Sequence, residues 1–281
     1  MDGLLLGGVY GLMAAGFGLY WRATRVLNLS FGALVMLGSY VTYGLFRRTG
    51  LDPLACLPVT VAAIGGLSWL LQRHLIGRIR RASTLEACLL TFGLALVLIQ
   101  AAVLVFSPDT RQLVSRYSQT VFGAGDATVS LGQIVACGLA LAGLGVLTVL
   151  LGRTRWGQVI RATALDEWVA FELGVDTARV QALVAAIAGG AAGAAGSLLA
   201  LTYPLSPGAG GFYTLVAVVG WLLLRTGAIS GALAGGLALG IAQTLVQASA
   251  GPGWPVAATC ALLFAAMIVR QAARLGGRAP M

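Results

Sequence analysis

The sequence predicts an all-α, polytopic membrane protein, and three observations support this prediction. Hydrophobic residues make up 58% of the chain, charged residues only 10%, and the mean hydropathy is +0.90. Apolar runs of about 18 to 22 residues, the length that a helix needs to cross a hydrocarbon core of roughly 30 Å, recur along the whole chain. The charged residues fall mainly between these runs. We therefore expect residues 1–281 to form one transmembrane domain.

Hydropathy and helix-breaking residues together predict where the spans lie. The predicted spans are residues 3–20, 26–46, 53–72, 84–106, 131–151, 181–203, 214–224, 228–249 and 254–272. The run 214–224 is too short to cross a membrane alone, so we interpret it as a half-helix that lines a cavity. The chain then has eight or nine spans, depending on how this run is counted.

All 18 basic residues are arginines, and their distribution predicts the orientation of the chain. They concentrate in the loops 73–83 and 152–180 and in the tail after Arg270. Counting the predicted spans between them puts these three segments on the same side of the membrane, which should be the cytoplasmic side by the positive-inside rule. The connection 107–130 falls on the other side. This places the N-terminus outside and the C-terminus in the cytoplasm. It also accounts for the net charge of +9 without nucleic-acid binding.

Residue types that carry catalysis or bind metals are scarce. The one histidine, His74, lies in a basic loop, which argues against His-dependent metal sites and Ser-His-Asp catalysis. A nucleotide cradle of the Walker type is also missing from the sequence. The cysteines occur singly in or beside apolar runs, and we interpret them as packing residues: Cys56, Cys88, Cys137 and Cys260. We expect no catalytic residue, no metal site and no cofactor bound by this chain.

Glu86 is the one carboxylate that a sequence-predicted span contains, two residues from its start. An ion-coupled carrier usually needs a carboxylate at membrane depth. We favour the interpretation that Glu86 is an interfacial residue paired with Arg80 or Arg81. An ion-coupled secondary transporter of a small solute remains the alternative function.

Small residues recur at helical spacing in several spans. Glycines four residues apart lie on one helix face and let two backbones approach closely in lipid. Gly227, Gly231 and Gly235 form one such series. We interpret this series as helix packing, with sliding between helices as a lesser role.

The segment 26–40 contains Asn28 and Ser30 at the start of an apolar helix, where either side chain can cap it. A helix that starts inside the membrane aims its free N–H groups at a translocation pathway. The alternative is that Asn28 caps an ordinary span at the interface. The residues of the pathway, on the first interpretation, are Asn28, Ser30 and Gly32.

The polar segment 161–180 predicts a short helix that lies outside the membrane. Thr163 and Asp166 have the spacing of a capping box, and Gly174 is placed to end a helix of about ten residues. One side of this helix is apolar and carries Ala164, Leu165, Trp168, Val169 and Leu173, whereas Asp166 and Ala170 share the other side. Such a face fits the protein's own helix ends, the membrane surface or a groove on a partner.

The sequence resembles the inner-membrane permease subunits of ATP-binding-cassette importers for branched-chain amino acids, whose close relatives are the amide and urea permeases. The stretch 7–41, with Arg-Val-x-Asn and Met-Leu-Gly-x-Tyr, is similar to the opening of that family, and 227–236 is similar to its late Gly-rich helix start. The loop 152–180 resembles the segment by which these permeases dock on their ATPase. The resemblance implies an ATPase-coupling role for Arg161, Ala162, Thr163, Asp166, Ala170, Gly174 and Arg179.

Two departures from the family pattern lie near the implied pathway. Phe31 and Ala33 flank Gly32 where the family often has polar residues, and Trp221 replaces a glycine of the late motif. The segment 220–232 is also longer than the family motif and lacks its proline. These changes bear on the identity of the solute.

The resemblance also implies a mechanism and partners. Two permeases, this chain with a related one or with itself, form the pore, and a periplasmic binding protein delivers the solute. ATP and Mg²⁺ bind separate ATPase subunits, whose closure moves the short helix as a lever. Membrane lipid is the remaining partner. An intramembrane enzyme, the third class considered, would need a nucleophile or metal ligands at depth.

Overall fold

The computed structural model describes residues 2–79, 84–113, 115–124, 127–223, 229–251 and 254–276. Within these residues the chain is helical apart from one short hairpin, which confirms the predicted fold class. The elements in chain order are α1 Asp2–Thr24, α2 Phe31–Thr49, α3 Pro53–His74, a 3-10 helix Ile76–Ile79, α4 Thr84–Phe106, α5 Arg116–Gln119, β1 Val121–Ala124, β2 Ala127–Ser130, α6 Leu131–Arg153, α7 Arg155–Leu165, α8 Glu167–Glu172, α9 Thr177–Ala200, α10 Ala209–Leu223, α11 Ile229–Ala250 and α12 Pro255–Gly276.

Each predicted span corresponds to one helix among the described residues. Six of these helices, α1, α3, α4, α6, α9 and α11, are long and apolar enough to cross a membrane. The boundaries differ most at α2, which begins five residues later than predicted, and at α10, which begins five residues earlier. The total of eight or nine spans stays a prediction.

Helices α1 and α9 form the centre of the bundle. In their most apolar stretches 83% and 78% of residues are buried, against 22% for α4 and α6, so the latter two form the periphery. Helix α1 packs mainly on α11 and α9, and α9 packs mainly on α3, α2 and α1. Both central helices are rich in glycine and alanine, which lets backbones pack closely where no hydrophobic effect drives association.

Glycines form the contact between α1 and α11. A side chain at Gly7 would overlap the backbone of Leu237, and one at Gly236 would overlap the backbone of Gly11. From the series predicted for helix packing, Gly231 is buried and Gly235 lies against the backbone of Gly220 in α10. Gly227 lies outside the described residues.

Long-range hydrogen bonds define the two ends of the bundle. At the first end, hereafter the α8 end, Tyr20 donates to Gln72 at 2.7 Å, which joins the C-terminal parts of α1 and α3. At the opposite end, hereafter the hairpin end, Tyr117 donates to the Asp52 carboxylate at 2.8 Å. This bond raises the pKa of the Tyr117 hydroxyl above its usual value. The segments 152–180 and 107–130 thus lie at opposite ends, and which end faces the cytoplasm stays a prediction.

The connection 107–130 contains structure that the sequence analysis did not predict. Strands β1 and β2 pair antiparallel, with Val121 opposite Ser130 and Gly123 opposite Thr128. Ser130 then caps α6 in a capping box with Gln133. Each strand has only four residues, too few for a recognisable alternating pattern.

Candidate functional site

The polar segment after α6 folds into two helices rather than one. The Thr154 hydroxyl accepts a hydrogen bond from the Gly157 N–H at 3.1 Å and so caps α7. The Asp166 carboxylate accepts from the Trp168 and Val169 N–H groups at 2.9 and 3.2 Å and so caps α8. The segment therefore turns at Asp166, where the backbone is extended.

The prediction that Thr163 begins a single helix of about ten residues was wrong. Thr163 lies inside α7, is buried, and donates its hydroxyl hydrogen to the Val159 carbonyl at 3.0 Å. The carboxylate of Asp166 competes with the helical hydrogen bonds by binding the N–H groups that follow it. Helix α8 consequently has only six residues.

Gly174 ends α8, as predicted. Its φ of +82° is a left-handed conformation that favours glycine. The Gly174 N–H donates to the Phe171 carbonyl at 2.9 Å, and the Val175 N–H donates to the Ala170 carbonyl at 3.0 Å. This is the Schellman pattern of a helix C-terminus, and it fixes the direction in which the chain leaves for α9.

The apolar side of this segment is exposed, and Ala170 is not. Ala170 is only 4% exposed and faces the bundle, which corrects the expectation that it belongs to a partner-facing surface. Among the described residues no helix end covers the apolar side. Its side chains are 50 to 86% exposed, and we call them the α8 apolar face: Leu165, Trp168, Val169, Phe171 and Leu173.

The other predicted coupling residues lie around this face. Arg161 is exposed and donates to the Leu151 carbonyl near the end of α6. Ala162 is exposed, and its carbonyl accepts from the Asp166 N–H at 3.2 Å. Arg179 pairs with Asp176 at 2.8 Å, with 86% of its own side chain exposed, so this pair adds little stability.

Three hydrogen bonds tie this segment to the rest of the bundle. Gln181 of α9 donates to Glu167 of α8 at 3.1 Å and lies 3.5 Å from the Ala23 carbonyl in α1. Arg25, just after α1, donates to the Ala164 carbonyl of α7 at 3.0 Å. Neither Arg25 nor Gln181 was predicted from the sequence, although Arg25 belongs to the Arg-Val-x-Asn stretch that carried the family resemblance.

The break between α1 and α2 is buried and held by side chains. Asn28 and Ser30 are 3% and 1% exposed. The Asn28 side-chain oxygen accepts from the Ser30 N–H at 3.0 Å and from the Ser30 hydroxyl at 2.6 Å. Neither side chain caps α2, contrary to the prediction. The cap comes from another helix, because the Gly32 N–H donates to the Thr214 hydroxyl of α10 at 3.0 Å.

Helix α2 begins beside the middle of α1 rather than beside its end. The Phe31 ring packs edge-on against Phe17 at 5.7 Å between centroids, and Gly16 of α1 lies against Ala191 in the middle of α9. Asn28 and Ser30 therefore lie within the bundle and do not form an interfacial cap.

Helix α10 starts at the same depth and runs toward the α8 end. Its Gly210 lies against Ala33 of α2, and its Trp221 packs against Trp21 near the end of α1 at 5.6 Å between centroids. Thr91 of α4 completes this region by accepting from the Leu29 N–H at 3.3 Å. We call the region the α2 junction, formed by Asn28, Ser30, Gly32, Thr91 and Thr214.

Aromatic rings fill the space on the α8 side of the α2 junction. Phe17 contacts both Phe31 and Trp221, and Trp221 also contacts Trp21. A side chain at Gly18 would overlap the Trp221 indole. Trp221, one of the departures from the family pattern, therefore packs against α1 between the junction and the α8 end.

Metal-ligating residues are not gathered anywhere in the described part of the chain. No three residues of the His, Cys, Asp and Glu types come together there. All four cysteine thiols are free. Glu86 is exposed in the first turn of α4, whereas Arg80 and Arg81, its predicted partners, lie outside the described residues.

The bundle of long apolar helices, with α2 and the shorter α10 both beginning near its centre, is that of a multi-pass membrane protein. The family described as "Branched-chain amino acid transport system / permease component" matches residues 1–270, and the chain belongs to this family.

Curated relatives agree with this assignment. The high-affinity branched-chain amino acid transport system permease protein LivH of Salmonella typhimurium is 28% identical over 72% of this chain and 70% of its own length. BraD of Pseudomonas aeruginosa is 26% identical over 82% and 79%. The probable LivH of Methanocaldococcus jannaschii is 29% identical over 78% and 72%. No solved structure matches the chain.

Proposed function

We propose that this chain is the transmembrane permease subunit of an importer driven by ATP hydrolysis on separate subunits. The solute is a branched-chain amino acid or a related small polar molecule such as an amide or urea. The family match over residues 1–270 supports a branched-chain amino acid as the solute, since the relatives are named for branched-chain amino acid transport. The chain lies in the inner membrane with the α8 end in the cytoplasm.

The observation that carries the proposal is the α8 apolar face. Trp168 and Phe171 are 71% and 61% exposed although they are large aromatic residues. Exposed aromatic side chains beside charged residues are typical of sites that anchor a protein partner. The partner is the ATPase, and ATP with Mg²⁺ binds there. The other partners are a second permease or another copy of this chain, a periplasmic solute-binding protein and membrane lipid.

The hydrogen bonds of the segment supply a route from the ATPase to the pathway. Movement of α7 pulls on Arg25 through the Ala164 carbonyl. Arg25 is five residues from Ser30 in the α2 junction. Movement of α8 pulls on Gln181 and so on the start of α9. A small displacement at the ATPase surface thus reaches the junction and the aromatic rings beside it.

The proposal is tested by making the α8 apolar face acidic. We expect Trp168→Glu and Phe171→Glu to lower co-purification of the neighbouring-gene ATPase about tenfold or more, since single aromatic anchors often carry that much binding energy. ATP-dependent uptake should fall in parallel, while detergent-extracted yield stays near normal because both residues are exposed.

The matched control is Leu75→Glu, which places the same charge on another exposed residue at the α8 end. It should leave ATPase binding unchanged. Normal ATPase association and uptake in both aromatic variants would reject the proposed coupling role. Uptake that survives ATP depletion but collapses with an ionophore would favour a secondary transporter instead.

A further inference from the structure

Arg111 lies at the hairpin end, where three segments meet. Its backbone pairs with Leu205 in both directions, at 2.9 and 2.7 Å, which fixes it to the connection between α9 and α10. Its Nη2 donates to the carbonyl of Phe106, the last residue of α4, at 3.2 Å. The hydroxyl of Tyr43 in α2 lies within electrostatic range of this guanidinium and accepts a hydrogen bond from Arg47 at 3.5 Å. The positive charge is therefore held in a defined position between α2, α4 and the connection to α10.

Two hydrogen-bond donors near this charge are buried and unused. Arg111 Nε and the Tyr40 hydroxyl have no hydrogen-bond partner among the described residues, and Tyr40 is fully buried. The Tyr40 ring packs on Phe106 with centroids 4.9 Å apart, and its hydroxyl lies within electrostatic range of Arg111. A buried polar atom without a partner costs about 1–3 kcal/mol. Packing alone would not require a tyrosine hydroxyl at this position.

Capping of α4 explains only part of this arrangement. The bond from Arg111 to Phe106 uses Nη2 and leaves Nε free. In the described part of the chain no carboxylate forms an ion pair with Arg111. A planar guanidinium with a phenol O–H beside it matches the geometry and charge of a carboxylate ligand.

We propose that Arg111, Tyr40 and Tyr43 bind the carboxylate group of the transported solute. This inference rests on the proposed function and narrows the solute class to carboxylate-bearing molecules, because amides and urea carry no negative charge. Tyr40 is eight residues beyond Gly32 on α2, so the site lies about 12 Å from the α2 junction toward the hairpin end. Tyr40 is buried in this structure, so the solute binds the site in another conformation of the transport cycle.

The test compares leucine with leucinamide, which replaces only the carboxylate, and with isovalerate, which keeps a carboxylate but lacks the amino group. Binding of L-leucine, isovalerate and leucinamide to the full-length chain in detergent is measured by saturation-transfer NMR at constant chloride concentration. Leucine and isovalerate should bind saturably, and leucinamide about tenfold more weakly, since one charge-assisted hydrogen bond is worth about that factor. Arg111→Gln and Tyr40→Phe should each weaken leucine binding about tenfold. Arg48→Gln removes the same charge from an exposed position at the same end and should change nothing.

Each outcome decides between the site and the function. Tyr40→Phe keeps the ring that packs on Phe106, so this variant should fold normally. Its leucine affinity therefore tests the site even if Arg111→Gln lowers the yield of protein. Equal binding of leucine and leucinamide, absence of saturable binding by any probe, or wild-type binding in both variants would overturn the site. If such variants still support ATP-dependent leucine uptake, the proposed function stands without this site. Binding that depends on Arg111 without any ATP-dependent uptake would instead reject the proposed function and leave the anion site.

Discussion

At the scale of single residues, Gly174 and Asp166 determine the form of the exposed segment. Asp166 starts α8 with its carboxylate, and Gly174 ends it with a left-handed backbone. Nothing lies within 4 Å of a side chain added at Gly174, so its requirement for glycine is one of backbone conformation alone. A side chain added at Gly152, near the end of α6, would also have nothing within 4 Å, but the backbone there is helical.

This contrast gives a prediction with an internal control. Gly174→Ala should destabilise the end of α8 by about 1 kcal/mol, because alanine disfavours the left-handed region. Gly152→Ala should not, because alanine is the better helix former. Hydrogen exchange of a peptide covering 167–176 should be several-fold faster in the first variant only. Equal exchange in both variants would mean that Gly174 does not hold α8 in place.

At the scale of elements, the α2 junction depends on a hydrogen bond between α2 and α10, two helices that begin near the centre of the bundle. The Thr214 hydroxyl accepts from the Gly32 N–H and lies 3.1 Å from the Leu29 carbonyl. A local sequence pattern cannot reveal this cap, because donor and acceptor are 182 residues apart. The position of Thr214 relative to α2 is set by how α10 packs.

We expect Thr214→Val to reduce uptake strongly and Thr214→Ser to preserve it. Valine has nearly the same shape but leaves the buried Gly32 N–H without an acceptor, at a cost of about 1–3 kcal/mol. Serine keeps the hydroxyl. ATP-dependent leucine uptake in membrane vesicles, normalised to the amount of permease, measures the difference. Similar uptake by the valine and serine variants would show that the cap has no role in transport.

The difference between local patterns and long-range contacts explains what could be predicted from the sequence. Hydropathy and breakers are local, so the long helices and the turn at Gly174 were predictable, as was the family through the segments 7–41 and 152–180. Thr163 was misplaced because its local capping pattern competed with the stronger cap at Asp166. The hairpin, the burial of Ala170 and the contacts of Arg25 depend on tertiary packing, which one sequence does not reveal.

At the scale of the whole molecule, the two ends of the bundle differ in chemistry. The α8 end carries the exposed aromatic residues Trp168 and Phe171. The hairpin end carries Arg111 with its tyrosines and the hydrogen bond from Tyr117 to Asp52. This polarity agrees with the proposed ATPase contact at one end and the proposed solute site at the other.

The orientation of these ends can be measured directly. Cysteines placed at Gln119 and Gln158, both exposed, report on the hairpin end and the α8 end respectively. In a background without the four native cysteines, a membrane-impermeant thiol reagent applied to intact cells should label Gln119→Cys and not Gln158→Cys, as the arginine distribution predicts. After the cells are broken, both should react. Labelling of Gln158→Cys alone on intact cells would show that the topology is the reverse of the predicted one. Equal labelling of the two variants would contradict the prediction that these residues lie on opposite sides of the membrane.

The pairing of α1 with α11 has a consequence for biosynthesis. Helix α1 leaves the ribosome before α11, the helix that covers Gly7 and Gly11, and about 200 residues of chain separate the two. At translation rates of about 5–20 residues per second, α1 waits about 10–40 s for that partner. Its glycine surface meanwhile faces lipid, the translocation machinery or a chaperone. A chain truncated before α11 would keep that surface uncovered, so membrane quality control can distinguish unfinished from finished copies by one helix face.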